Sequence, residues 1–391
     1  MGLSLRQYFD APSHPCSEER GFTGCGVKEG TMAGIIGYGA YLPFARIKVE
    51  EIHKVWRNTS LEKIKNVLMI NERAVLQPNE DTITLAVAAA KGAINQSGVD
   101  QKTINALFLG TCTNPYDSKP STTIIAEAIG INPHFIGGDI QFSGKSGTTA
   151  IQICLGLIKS RMAKVGMAIA SDTINRHTCP GRIYEYTASA GSAAFLLGEE
   201  EPIVEIEGTG SYASDLSDFF RVEGDRYIQS IGVGGELYPA WEIGFVDHIV
   251  HAGQSLMKEM NLKPKDYSFA IFQQPYGFAP FAIGERLGFT KEQIEPGAIA
   301  TMIGDCGSAS SLLGLVHVLD HAKKGQRIFL ASYGFGAGSD ALSLEVTPVL
   351  EAKRPKIPLS RYLYEKKEMV DYATACRLEY KYMQDLSPLY I

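Results

Sequence analysis

A duplicated, layered α/β fold is what this chain's sequence predicts, and three observations carry the prediction. Short apolar, β-branched runs alternate with longer stretches of helical period, the pattern of buried strands joined through helices. An internal repeat pairs Ser146-Gly147-Thr148 with Cys306-Gly307-Ser308, about 160 residues later, as helix-opening turns, and Ala190-Gly191-Ser192 with Ala337-Gly338-Ser339 as strand starts. The composition, 391 residues with 45% hydrophobic and 20% charged, is ample for two core-forming units.

The elements follow in order. Residues 1–31 are polar with Gly and Ser, and Met32 precedes an abrupt change to a strand-like run; they are read as an N-terminal extension or a misassigned start, with Cys16, Cys25 and His14 too loosely spaced for a metal set. Expected strands of the first half, 32–200, are Gly34 to Pro43, Ala106 to Thr111, Gly166 to Ser171 and Ser192 to Gly198, with helices Thr82 to Gln96 and Thr148 to Met162. The second half, 201–347, supplies strands Ala270 to Gln274, Ile328 to Tyr333 and Ala341 to Val346, and helices Phe281 to Leu287 and Ser308 to His321. Residues 348–391, rich in Lys, Glu and Tyr, lie beyond the repeat and read as a surface-lying tail.

Charge and apolar pattern exclude several function classes. Lys plus Arg total 37 against 43 Asp plus Glu, a net charge of -6 without a basic run, so nucleic acid is not expected as a partner. Ser192 to Gly198 and Arg327 to Ala331 are far short of the roughly 20 residues a membrane helix needs. The first residues contain Arg6, Asp10 and Glu18 without an apolar stretch, so no secretory signal is expected and a cytoplasmic setting follows. Seven cysteines (16, 25, 112, 154, 179, 306 and 376) form no CxxC pair; no metal and no cofactor are expected.

The chemistry should lie where the two repeat turns meet. Two helix N-termini near a pseudo-dyad concentrate backbone N–H donors and positive dipole ends, suited to a thioester carbonyl or an oxyanion; small residues for close packing explain the glycines equally well. Four motifs carry a resemblance: Glu80-Asp81-x-Ile-Thr at a helix start, Asn114-Pro115-Tyr116, the elbow Phe142 to Thr148, and Tyr333-Gly334-x-Gly-Ala-Gly-Ser-Asp340. They resemble the thiolase superfamily, in its branch of hydroxymethylglutaryl-CoA synthases and β-ketoacyl synthases III. The resemblance implies the thiolase fold, two pseudo-symmetric α/β halves in a five-layered α-β-α-β-α arrangement, and a homodimer formed through the first half.

That family's chemistry requires a Cys at the elbow, with a His and usually an Asn. The corresponding positions here are Gly144, Gln273 and Asp305, and of the family's polar groups only the acid Glu80 is retained. Glu80 also suits a helix N-terminus without catalysis. Further stretches, Arg73 to Pro78, Gly110 to Asp117, Asp172 to Arg176, Gly224 to Ile228 and Val370 to Tyr372, are similar to the synthase-III-like subunits of bacterial monoacetylphloroglucinol acetyltransferases. This implies a non-catalytic scaffold subunit of a multi-component C-acyltransferase, with acetyl the group transferred and an electron-rich phenol such as a phloroglucinol as acceptor. Its partners would be a thiolase-like catalytic subunit and a small zinc-ribbon/OB-fold bridging protein. The rival readings are a synthase-like condensing enzyme with a relocated nucleophile, Cys306 being the candidate, and an acyl-CoA-binding protein. Cys112 and Cys306 otherwise read as packed thiols, and Ser143 as inert without a neighbouring His. Lys145 at the elbow suits a CoA phosphate or solvent equally.

Overall fold

The computed structural model describes residues 33–230, 241–355 and 357–382. The N-terminal extension, with Cys16, Cys25 and His14, lies outside the described residues. Fourteen strands are numbered in chain order: β1 Gly34–Tyr41, β2 Ala45–Lys48, β3 Glu72–Val75, β4 Ile104–Gly110, β5 Ile136–Ile140, β6 Val165–Thr173, β7 Ala190–Gly198, β8 Val204–Ala213, β9 Phe219–Phe220, β10 Gln229–Ser230, β11 Phe269–Phe272, β12 Arg327–Gly334, β13 Gly338–Val346 and β14 Glu368–Met369.

Nine of them form one sheet in the order β11-β12-β13-β8-β1-β7-β6-β4-β5, and its pairing repeats. In the first half β4 runs parallel to β6, while β6 to β7 and β7 to β1 are antiparallel. In the second half β11 runs parallel to β12, while β12 to β13 and β13 to β8 are antiparallel. The halves join where β1 meets β8 over only Gly34↔Glu205 and Ile35↔Val204. The duplication expected from the sequence is thus present over four strands of each half, with β5 added at the edge of the first.

Alternation along the strands builds the layers. Ala168 and Ala170 of β6, with Ile328 and Leu330 of β12, face a shared core with Ile151, Leu155, Leu312 and Val316 from the helices Ser146–Lys159 and Ser310–Leu319. The intervening residues face outward: Met167 and Ile169 pack under helices Thr82–Ser97 and Ser121–Ile129, and Phe329 and Ala331 under helices Asp247–Glu259 and Ala279–Leu287. Helix, half-sheet, helix pair, half-sheet, helix is the five-layered order.

Local chemistry fixes the boundaries. Asp81 caps the helix Thr82–Ser97 by accepting from Thr84 N at 2.8 Å, and left-handed Gly98 ends it. Ala86, Ala89, Ala90 and Ala93 let that helix sit on β1, where a Cβ on Gly39 would run into its backbone.

The tail departs from expectation. Its described residues through 382 stay largely at the surface but bury one face in the fold. β14 adds a parallel strand to β2. The helix Tyr372–Leu378 buries Tyr372, Ala375, Cys376 and Leu378, and Glu379 is 0% exposed. An apolar helix face and buried ion pairs, not visible as a long hydrophobic run, hold it down.

Candidate active site

The elbow between β5 and the central helix Ser146–Lys159 is a short 3-10 turn over Ser143–Lys145. Ser143 is held left-handed at φ +45°, a conformation costly for a side-chain-bearing residue. Ser146 braces it: its hydroxyl accepts from Phe142 N at 2.8 Å and donates to Ser143 O at 2.7 Å. Lys145 serves neither a phosphate nor solvent. Its buried Nζ pairs with Asp340 at 2.8 Å and lies 4.4 Å from the centre of the Phe142 ring.

The structure brings Gly144, Gln273 and Asp305 together, as the elbow motif implies. A Cβ on Gly144 would run into the Tyr333 carbonyl oxygen and come within 2.7 Å of Gln273 Nε2. That amide donates to Gly307 O at 2.8 Å, and Asp305 accepts from Gly307 N at 3.0 Å, so both hang from the second-half turn. The Gln273 amide cannot be turned round, because its oxygen would then face a carbonyl oxygen. Gln273 Oε1, in a side chain that is 0% exposed, consequently has no hydrogen-bond partner among the described residues, which costs about 1–3 kcal/mol. Burial pushes the Asp305 carboxyl up to about 7, against hydrogen bonds from Gly307 N and Ser310, with Asp172 adding to the rise.

A cavity of about 730 Å³ opens from this point, with Ser143, Gly144, Asp305 and Gly307 in its wall. Cys112, expected as a packed thiol, shares that wall and is only partly buried. It follows β4, where Asp172 organises the loop by accepting from Thr111 Oγ1 at 2.7 Å, Cys112 N at 2.9 Å and Thr113 Oγ1 at 2.6 Å. The other Asp172 oxygen accepts from Ser308 N at 2.8 Å, tying this loop to the second-half turn. Burial and then Asp172 push the Cys112 thiol up, and a hydrogen bond from Ser143 opposes them. A thiol just past the C-terminal end of a parallel strand was the available signal, since ligands gather at that edge of α/β sheets.

Two sequence candidates lie elsewhere. Cys306 is 0% exposed, its sulfur packed near Gly191, Leu313 and Leu42 and absent from the cavity wall. Burial pushes its thiol up. Glu80 also stands off the wall, accepting from Tyr41 Oη at 2.6 Å and Gln77 N at 2.8 Å. It braces a turn.

The upper wall comes from two segments. Tyr184 stacks edge-on to Phe219 with centroids 4.7 Å apart, and Phe219 lies 4.3 Å from Phe335. Arg182, Arg221 and Arg226 also line the cavity. Among the described residues, no group of three or more His, Cys, Asp or Glu is gathered to hold a metal, and no helix is long and apolar enough to cross a membrane.

No family model matches the chain. Comparison with individual proteins decides the matter. The hydroxymethylglutaryl-CoA synthase of Methanocaldococcus jannaschii is 42% identical over 350 residues, covering 90% of this chain and 99% of the relative. That of Methanopyrus kandleri is 43% identical over 348 residues, covering 89% and 97%. This chain belongs to the hydroxymethylglutaryl-CoA synthase family. Its fold is shared with a structure described as MvaS in complex with 3-hydroxy-3-methylglutaryl coenzyme A, at TM-score 0.80, 22% identity, and 89% and 92% coverage. It is shared also with 3-oxoacyl-(acyl carrier protein) synthase III, FabH, from Pseudomonas aeruginosa, at TM-score 0.73, 18% identity, and 81% and 98% coverage.

These relatives overturn the scaffold reading. Proteins about 40% identical over nearly their whole length carry the name of a condensing enzyme, not of a non-catalytic acyltransferase subunit. The misreading came from weighing three altered side chains above the frame that still converges on them.

Proposed function

We propose that this chain is an acyl-CoA condensing enzyme of the hydroxymethylglutaryl-CoA synthase family in which Cys112 takes the acyl group that the elbow no longer can. The observation that carries this is a thiol in the cavity wall beside Ser143 and Gly144. Asp305 shares that wall, and its carboxyl, pushed up to about 7, is matched to proton transfer at neutral pH. The Cys112 thiol gives its proton to the Asp305 carboxylate as Sγ attacks the thioester carbonyl. The C–S bond to CoA breaks, the CoA thiolate takes the proton, and an acyl-Cys112 thioester remains.

Use of CoA thioesters supports a cytoplasmic setting. An open edge at β5, the terminal strand of the sheet, supports a homodimer through the first half. Co-purification tests this, together with the thiolase-like and zinc-ribbon partners expected from the sequence.

A second reading, non-covalent acyl-CoA binding, is favoured by one observation: burial and Asp172 hold the Cys112 thiol in its protonated, less nucleophilic form. Intact mass after incubation with acetyl-CoA separates the two. The condensing reading expects an acetyl adduct, lost in Cys112→Ala and kept in Cys306→Ala. Absence of an adduct while CoA binds leaves the binding reading in place.

A further inference from the structure

We infer that the last described turn of the chain, Glu379-Tyr380-Lys381, positions the wall of the cavity, so that ligand capture depends on side chains outside that wall. The wall segments concerned are 174–187 and 219–229, which contribute Ile174, Thr178, Tyr184, Thr187, Tyr227 and Ile228.

The first tie is a buried four-charge network. Glu379 accepts from Arg73 Nη1 at 2.5 Å and from Asn175 Nδ2 at 3.0 Å. Lys381 Nζ, on a side chain 1% exposed, lies 3.0 Å from Glu379 and 3.1 Å from Glu185. Glu185 also accepts from Tyr372 Oη at 2.8 Å and, through its other oxygen, from Gly181 N at 2.7 Å. Lys381 thus bridges a carboxylate of the tail to one of the segment 174–187 that carries part of the wall. Two cations and two carboxylates balance, so loss of either Lys381 or Glu379 leaves a buried charge uncompensated.

Tyr380 makes the second tie. Its carbonyl accepts from Arg226, its ring lies under the Arg176 guanidinium at 4.9 Å, and its hydroxyl donates to Pro78 O at 3.0 Å. Arg226 and Arg176 belong to the two wall segments, which are themselves stitched by Ile228 N to His177 O at 2.8 Å and by the His177 ring to Arg226 O at 3.1 Å.

The backbone supplies an independent sign. Tyr380 follows the helix Tyr372–Leu378 at φ +55°, the left-handed end position where glycine is usual. A tyrosine in that strained position indicates that its side chain is needed there. The wall and the tail are consequently one mechanical unit although about 150 to 200 residues of sequence separate them.

Amide hydrogen exchange on the full chain tests this without a ligand, and CoA binding tests its consequence, which rests on the acyl-CoA reading above. Tyr380→Gly suits the left-handed backbone while cutting the ring and hydroxyl ties. Its expected result is faster exchange in 174–187 and 219–229 with β6 and β12 unchanged, unchanged or raised thermal stability, and CoA binding weakened about tenfold. Lys381→Met should loosen the same segments and Lys381→Arg restore them. Unchanged exchange in both segments, or an equal rise throughout the chain, overturns the inference. Loosened segments in a chain whose wild type binds no CoA sink the acyl-CoA reading and leave the positioning role standing.

Discussion

The two turns that open the central helices are copies of one unit, and they differ in where the glycine stands. In the second half Gly307 itself is left-handed at φ +61°, and a Cβ there would come within 2.5 Å of Asp172 Oδ2 and 2.7 Å of Ile174 Cδ1. That glycine satisfies conformation and space at once. In the first half the left-handed residue is Ser143, and Gly144, one position later, is needed for space alone. The elbow keeps its strained backbone although the side chain that strain would aim is gone. The frame of the site and its reactive atom are therefore separable, and Cys112 stands where the loss of one leaves the other usable.

Substitutions at these turns sharpen or break the comparison. The largest effect is expected for Gly307→Ala, which combines a disfavoured φ with a clash against the Asp172 carboxylate; denaturant unfolding should show a loss of about 2–4 kcal/mol. A loss below half a kilocalorie would mean that the second turn is as adaptable as the first.

Gly144→Cys is next. The incoming Cβ meets the Tyr333 carbonyl and the Gln273 amide, so a loss of about 1–3 kcal/mol is expected, and peptide mapping after acetyl-CoA should find no acetyl group on residue 144. Efficient acylation there would show that the elbow is intact apart from its thiol.

Asp305→Asn probes the polar link between the turns through pH. An acid held up to about 7 when folded, against about 3.9 when unfolded, binds its proton more tightly in the folded chain. Stability therefore falls as pH rises from about 4 to about 7, and levels off above that. Asparagine removes this slope, so melting curves of wild type and variant should diverge with rising pH and run parallel beyond neutrality. Parallel curves throughout would place Asp305 in a wetter setting than its burial indicates.

The smallest effect belongs to Ser143→Gly, which relieves the left-handed strain while loosening the unfolded chain. The net change should lie within about 1 kcal/mol of zero, with a gain marking strain held for the site.

Much was legible in the sequence because period and spacing are local properties. The short apolar runs of β6 and β12 foretold strands buried on both faces, the paired turns foretold the duplication, and the string from Phe142 to Thr148 marked the elbow and its missing thiol. Gln273 and Asp305 were recognisable by motif, and they do converge with Gly144 through Gly307. Function was read too narrowly, as a scaffold, and relatives sharing two-fifths of the residues corrected it.

What the sequence by itself determined is the layered α/β frame and the absence of a side chain at residue 144, since both follow from residue type and periodicity. That Cys112 lines the cavity while Cys306 does not was decided only in three dimensions. Cys112 and Cys306 are alike as letters, and Asp172 bonding both the β4 loop and the second-half turn sets one at the wall while the core swallows the other. The tail was likewise decided by tertiary structure. Arg73, Glu185, Glu379 and Lys381 are scattered and ordinary along the chain, and only burial together, where charge must be balanced locally, turns them into the brace behind the cavity wall.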